Sequence, residues 1–178
     1  ADRIHLLAEA TKAAYARRDA LIGDPDHAKV PVERLLSAAE AERIRARIRR
    51  DRAAPPSEAE RGVHSDTTYL TVVDRDRTAV SFINSLFSGF GSGITGPESG
   101  VILQNRGSGF RLEAGHPNAI APTKRPLHTI IPGMLAKDGR CVMPFGVMGG
   151  HYQPVGHTQL VTAVLDDGLD PQEALARP

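Results

Sequence analysis

The sequence predicts an α+β fold in which a sheet is covered by helices. Three observations predict it. Residues 1–52 carry apolar side chains at helical spacing, residue 67 opens an abrupt switch to strand alternation, and helical spacing returns after residue 155.

In chain order, residues 1–22 read as an amphipathic helix, with Leu6, Leu7, Ala10, Ala13, Ala14 and Leu21 recurring at helical spacing. Gly23, Asp24 and Pro25 supply the stop and the turn. A second helix is expected over residues 31–52, with Pro31 in its first turn and Leu35, Leu36, Ala39 and Ile44 on one side. Its arginine-dense stretch, residues 43–52, reads better as a solvated helix face than as a phosphate patch. Residues 53–66 are polar, contain Pro55–Pro56, and have little to bury, which marks an exposed, cleavable linker.

From residue 67 the pattern is of short strands. Residues 67–74 and 79–85 form a hairpin around Asp74-Arg-Asp-Arg77, with Leu70, Val72, Ala79 and Phe82 on its faces. Residues 88–99 are a glycine-rich loop, 101–104 a short strand, and 118–126 a proline-punctuated irregular stretch. Residues 129–136 and 141–147 pair around the turn at 137–140. Residues 155–166 are helical, and Pro171 opens a last helix.

The bulk properties exclude more than they assign. With 22 basic and 21 acidic residues, the chain gives no reason to expect a nucleic acid or an acidic membrane as partner. Cys141 is the single cysteine, so neither an internal disulfide nor a thiolate metal cluster forms. His151, Tyr152 and His157 lack a zinc-ligand spacing, and the glycine-rich GFGSG run lacks the lysine of a phosphate-binding loop. No metal and no cofactor is expected. No apolar run is long enough to span a bilayer and no signal peptide opens the sequence, which leaves cytoplasm and periplasm both open. Both ends fall within or beside helix patterns, so the chain is expected to be a piece of a longer or split protein.

The junction at Asp66–Thr67 carries the chemistry. A threonine at the first position of a strand, behind a cuttable linker, suits a nucleophile that becomes a new N-terminus. A β-branched pair, Thr67–Thr68, also starts strands for purely structural reasons. Four further segments decide between these: FGSGI at 90–94 with Glu98-Ser-Gly100, NAIAPTKRPLHTIIPGML at 118–135, FGVMGG at 145–150, and HLLAEATKAAYARRD in the first helix. Taken in order with TTYLTVVDRDRTAVS, they resemble the γ-glutamyltranspeptidase family of N-terminal-nucleophile (Ntn) hydrolases. The resemblance implies part of an αββα four-layer sandwich. It also implies a division at the cleavage site, with residues 1–66 as the end of a large subunit and 67–178 as the start of a small, catalytic one.

It further implies self-cleavage at Asp66–Thr67 and catalysis through an acyl-Thr67 ester. The freed α-amine, with an ordinary pKa of about 7.7–8.0, is then a general base carried on the nucleophile itself. Ser85 falls where the family has a hydroxyl beside that amine. Gly149 and Gly150 match the double glycine whose N–H groups hold the oxyanion; read alone, they are a tight turn. The chain departs from the family's γ-glutamyl enzymes where Asn, Gln and Asp give way to Phe87, Arg106 and Gly109, and where paired serines give way to His128–Thr129. Loss of the aspartate removes the partner of a substrate ammonium, while Arg106 favours a carboxylate or is a surface loop arginine.

The expected function is therefore amide hydrolysis, favoured over transpeptidation, on a γ-glutamyl, glutaryl or small amide-acid substrate, with Arg106, His128 and Thr129 at the substrate. The remaining large-subunit segment or a second copy is the expected protein partner. The competing expectation is an inert, truncated relative with a structural or assembly role.

Overall fold

The computed structural model describes residues 2–55 and 65–177. The middle of the expected linker, residues 56–64, lies outside the described residues. By packing, the chain divides into two units, one of residues 1–61 with 107–127 and one of residues 62–106 with 128–178. The expected division at 66/67 is a covalent cut, a different kind of boundary, which packing does not test.

The first unit is helical. Helix α1 spans Asp2–Leu21, and the expected second helix is two short ones, α2 (Val32–Leu35) and α3 (Ala38–Arg45). The break has a local cause: Ser37 takes extended backbone angles and its side chain accepts from the Glu40 N–H at 3.1 Å, capping α3. The arginines of this stretch are solvated, as their spacing suggests, with Arg43, Arg45 and Arg49 exposed. The side chains that α1 buries are Glu9 and Tyr15, not the expected alanine–leucine stripe.

The loop at 107–127 completes this unit. Gly23 lies so close to it that a Cβ there would sit 2.1 Å from the Pro117 carbonyl oxygen, so only glycine fits. Asp24, 4 % exposed, accepts from the Arg125 backbone N–H at 2.8 Å, Nε at 3.1 Å and Nη2 at 2.6 Å. Asn118 staples the loop internally, donating to the Gly109 carbonyl at 2.7 Å and accepting from the Leu127 N–H at 3.0 Å.

The second unit holds the strands. Strand β1 (Ser65–Val73) pairs antiparallel with β2 (Ala79–Ser88), and β3 (Gly133–Lys137) with β4 (Arg140–Phe145). Asp74 closes the first hairpin, accepting from the N–H groups of Asp76 and Thr78 at 2.9 and 2.8 Å. Strand β2 runs three residues beyond its expected end, and β3 starts four residues late. The strand expected at 101–104 is one bridge, Ile102 to Thr95. Helices α4 (Gln153–Leu165) and α5 (Pro171–Ala176) follow, the latter with a capping box between Asp170 and Glu173.

Alternation along the first hairpin sorts its residues. Thr67, Tyr69, Ser81, Ile83 and Ser85 lie on the covered face, whereas Leu70, Val72, Val80 and Phe82 are exposed on the other. The covered face is tied to β4: the Tyr69 and Ser81 hydroxyls are 2.9 Å apart, and Ser81 donates to the Phe145 carbonyl at 3.2 Å. No helix among the described residues is long and apolar enough to cross a membrane.

Candidate active site

Thr67 sits at an irregularity of the hairpin. Asp66 pairs with Phe87 and Thr68 with Asn84, so Thr67 faces two residues of β2, Ser85 and Leu86. Such a bulge re-aims the side chains around it. Here the Thr67 hydroxyl donates to Ser85 Oγ at 3.2 Å, and Ser85 Oγ also accepts from the Phe87 N–H at 2.9 Å. The bulge ends in Phe87 with φ +79°, a conformation that costs a bulky residue about 1–3 kcal/mol. Asn105 holds the strained end in place: its side chain accepts from the Ser88 N–H at 3.0 Å and its N–H donates to the Leu86 carbonyl at 3.1 Å. Asp66 lies on β1 by its backbone, and its side chain is outside the description. Thr68 is exposed on the opposite face.

The double glycine follows from the same tie. Phe145 ends β4, and Gly146 lies against Tyr69 so closely that a Cβ would meet the ring at 2.3 Å. Three and four residues on, Gly149 and Gly150 both take positive φ, +122° and +58°, and Gly150 opens a 3-10 turn to Tyr152 that packs against β1. Neither N–H of the pair donates a hydrogen bond among the described residues. Gln153, 0 % exposed, anchors the turn from below by accepting the Ile131 N–H at 2.9 Å.

Arg106 is not a surface arginine. It is 5 % exposed, donating from Nη1 to Thr129 Oγ1 at 3.0 Å and from Nη2 to the Ser85 carbonyl at 3.4 Å. Its backbone N–H donates to Gln104 Oε1, and its guanidinium lies 5.4 Å from the Phe87 ring centroid. Burial lowers its pKa from the usual guanidinium range. Thr129 is buried, while His128 beside it is exposed. The part of the His128 ring that is covered, and then the charge of Arg106, lower its pKa. Its Nδ1 is 3.4 Å from the Ile130 N–H, the acceptor side of a neutral ring. Gly109 belongs to the other unit. Among the described residues no three His, Cys, Asp or Glu side chains gather as a metal site.

So the structure brings together Thr67 with Ser85, and Ser85 with Arg106 and Thr129. Residue parity on the hairpin flags Tyr69 and Ser81 as further members of that face. Asn105 had no signal in the sequence. The same arrangement has relatives. The family model described as Gamma-glutamyltranspeptidase matches residues 1–178. The chain belongs to the gamma-glutamyltranspeptidase family. It is 43 % identical over 174 residues to the glutathione hydrolase-like YwrD proenzyme of Bacillus subtilis, covering 98 % of this chain and 33 % of that protein. It is 41 % identical over 179 residues to the oxamate amidohydrolase proenzyme of Klebsiella pneumoniae, covering 100 % of this chain and 33 % of that protein. The crystal structure of cephalosporin acylase from Bacillus halodurans superposes with a TM-score of 0.88 at 42 % identity, over 99 % of this chain and 32 % of that one. The fold is thus the α+β fold expected, part of an Ntn-hydrolase sandwich. The chain spans about a third of the length of the curated relatives it matches.

Proposed function

We propose that this gamma-glutamyltranspeptidase-family chain carries the nucleophile and oxyanion donors of an amide hydrolase that acts through an acyl-Thr67 ester. The observation that carries this reading is the Thr67 hydroxyl bonded to Ser85 Oγ at the mouth of a strained bulge. The names of the relatives, hydrolase, amidohydrolase and acylase, two of them proenzymes, point the same way.

The chemistry runs in two halves. In maturation, the Thr67 hydroxyl attacks the Asp66 carbonyl carbon, the peptide shifts to an ester, and water releases the Asp66 carboxylate and a free Thr67 amine. In turnover, that amine takes the hydroxyl proton as Oγ1 attacks the substrate carbonyl carbon. The N–H groups of Gly149 and Gly150 stabilise the oxyanion, the C–N bond breaks, and the proton leaves on the departing amine. Water then hydrolyses the ester, returning the acid and the Thr67 hydroxyl. Ser85 orients the hydroxyl and Arg106 with Thr129 reads the acyl end of the substrate. Replacement of the amino-acid-recognising residues by Phe87, Arg106 and Gly109 favours water over an amino-acid acceptor in the second half.

Self-cleavage tests the reading. At neutral pH the purified chain is expected to split at Asp66–Thr67 by intact mass, and the Thr67→Ala chain to stay whole. The apolar outer face of the β1–β2 hairpin, with Phe82 50 % exposed, favours a second reading in which the chain serves only as a part of a larger assembly. A folded chain that stays whole would move the conclusion to that reading.

A further inference from the structure

The candidate nucleophile and the double glycine stand on different hairpins. Thr67 is on β1, paired with β2, whereas Gly149 and Gly150 follow β4, paired with β3. Among the described residues no backbone ladder joins the two pairs. A ladder would fix their register; without one, side chains have to do it. The register matters because oxyanion donors act only when aimed at the place where charge develops.

Tyr69 supplies it from two residues beyond Thr67, on the same face of β1. Its ring lies against Gly146, where a Cβ would sit 2.3 Å from ring carbons Cδ2 and Cε2. Gly146 is outside the left-handed region, so it is glycine for space and not for conformation. The Tyr69 hydroxyl makes a second tie. Ser81 uses its one proton on the Phe145 carbonyl at 3.2 Å, so in the 2.9 Å contact Tyr69 donates to Ser81 Oγ. Tyr69 thus reaches two consecutive residues at the end of β4, Gly146 directly and Phe145 through Ser81.

The segment that follows has little slack. A Cβ at Gly156 would sit 2.7 Å from Val147 Cγ1 and 3.0 Å from Tyr152 Cε1, and one at Gly149 would sit 3.3 Å from Tyr152 Cβ. So tightly packed a segment passes a displacement on. A shift at Gly146 therefore arrives at Gly149, three residues along the chain.

We infer that Tyr69 is a positioning residue that sets the Gly149–Gly150 turn against the strand carrying Thr67. Its catalytic consequence rests on the acyl-Thr67 reading; the placement of the turn does not.

Nuclear magnetic resonance tests the placement without turnover. Met148–Gly149 is the one Met-Gly pair in the sequence, so carbonyl-13C methionine with 15N glycine singles out the Gly149 amide in the full chain. Its signal is expected to shift in Tyr69→Ala and in Gly146→Ala, and to stay in Val72→Ala, on the opposite face of β1. Tyr69→Phe keeps the ring on Gly146 and loses only the donation to Ser81, so a smaller shift is expected there. An unmoved Gly149 signal overturns the inference, and Gly146→Ala with Tyr69→Phe decides it even where Tyr69→Ala does not fold. In the cleaved chain acting on glutaryl-p-nitroanilide, Gly146→Ala is expected to lower kcat on the order of a hundredfold with KM little changed. Adding Tyr69→Ala removes the ring that the new methyl group strikes, and is expected to return part of kcat. A loss carried by KM, or a double variant as poor as the product of both single losses, also overturns the inference. A Gly149 signal that shifts as expected in a chain that never cleaves at Asp66–Thr67 refutes the catalytic reading alone.

Discussion

Among its described residues the helical unit buries three carboxylates, Glu9, Asp24 and Glu40, and each is met by a cation: Lys12, Arg125, and Arg17 with Arg43. The strand unit buries one cation, Arg106, and meets it only with neutral oxygens among the described residues. Burial is similar in the two cases and charge balance is not. A matched pair has finished its work once the chain is folded, because removing either partner leaves an unpaired buried charge. An unmatched one beside a candidate nucleophile is the arrangement that the proposed role of Arg106 at the substrate calls for. The contrast sets apart residues whose charge is balanced within the fold from one whose charge is not.

The contrast breaks most visibly under matched substitutions. Arg125→Met is expected to give the largest loss of thermal stability, since Asp24 would keep its burial and lose two of its donors. The backbone N–H of residue 125 survives the change, so two donors go with the guanidinium and the third is weakened with the loop. Arg106→Met, of similar volume, is expected to move the melting temperature by much less, roughly 5 °C or under, because no ion pair is lost. Differential scanning calorimetry of the two variants checks it. Equal losses would mean that Arg106 is a structural strut and that the comparison fails.

A smaller effect sharpens the same point through pH. The Lys12 hydrogen bond lowers the pKa of Glu9, the Arg125 hydrogen bond that of Asp24, and the Arg17 hydrogen bond that of Glu40, from ordinary values of 4.5, 3.8 and 4.5. Folded values below unfolded ones mean that these groups stabilise the fold above the ordinary values. That contribution is lost as the pH falls through them toward the lowered folded values. The melting temperature is therefore expected to be flat near neutrality and to fall below about pH 4.5. Arg125→Met should fall less steeply there, having already lost the pair at Asp24, and Arg106→Met should follow the unmutated curve.

Much of the scaffold was legible because it rests on local rules. The first helix, both hairpins and the last two helices follow from spacing, turn residues and proline placement. The unbroken second helix did not survive, because Ser37 gains more as a cap than as a helix interior residue, a choice that spacing alone does not register. Strand β2 ran past Ser85 because the bulge absorbs the mismatch, and the positive φ of Phe87 leaves no compositional trace. At the candidate site, the pairing of Thr67 with Ser85 was expected from the resemblance and has a geometric counterpart in their hydrogen bond. Whether Arg106 lay in a pocket or on a loop stayed open in the sequence. Its burial depends on contacts with Thr129, 23 positions away, which no local pattern encodes.

The central claim is that Thr67 Oγ1 forms the covalent intermediate, and peptide mass mapping tests it most directly. The cleaved chain is exposed briefly to glutaryl-p-nitroanilide, quenched in acid, and mapped. The account predicts a glutaryl ester on the peptide that begins at Thr67, absent after Thr67→Ala together with nitroaniline release. Nitroaniline release that persists in Thr67→Ala, or a label on any other residue, would contradict it.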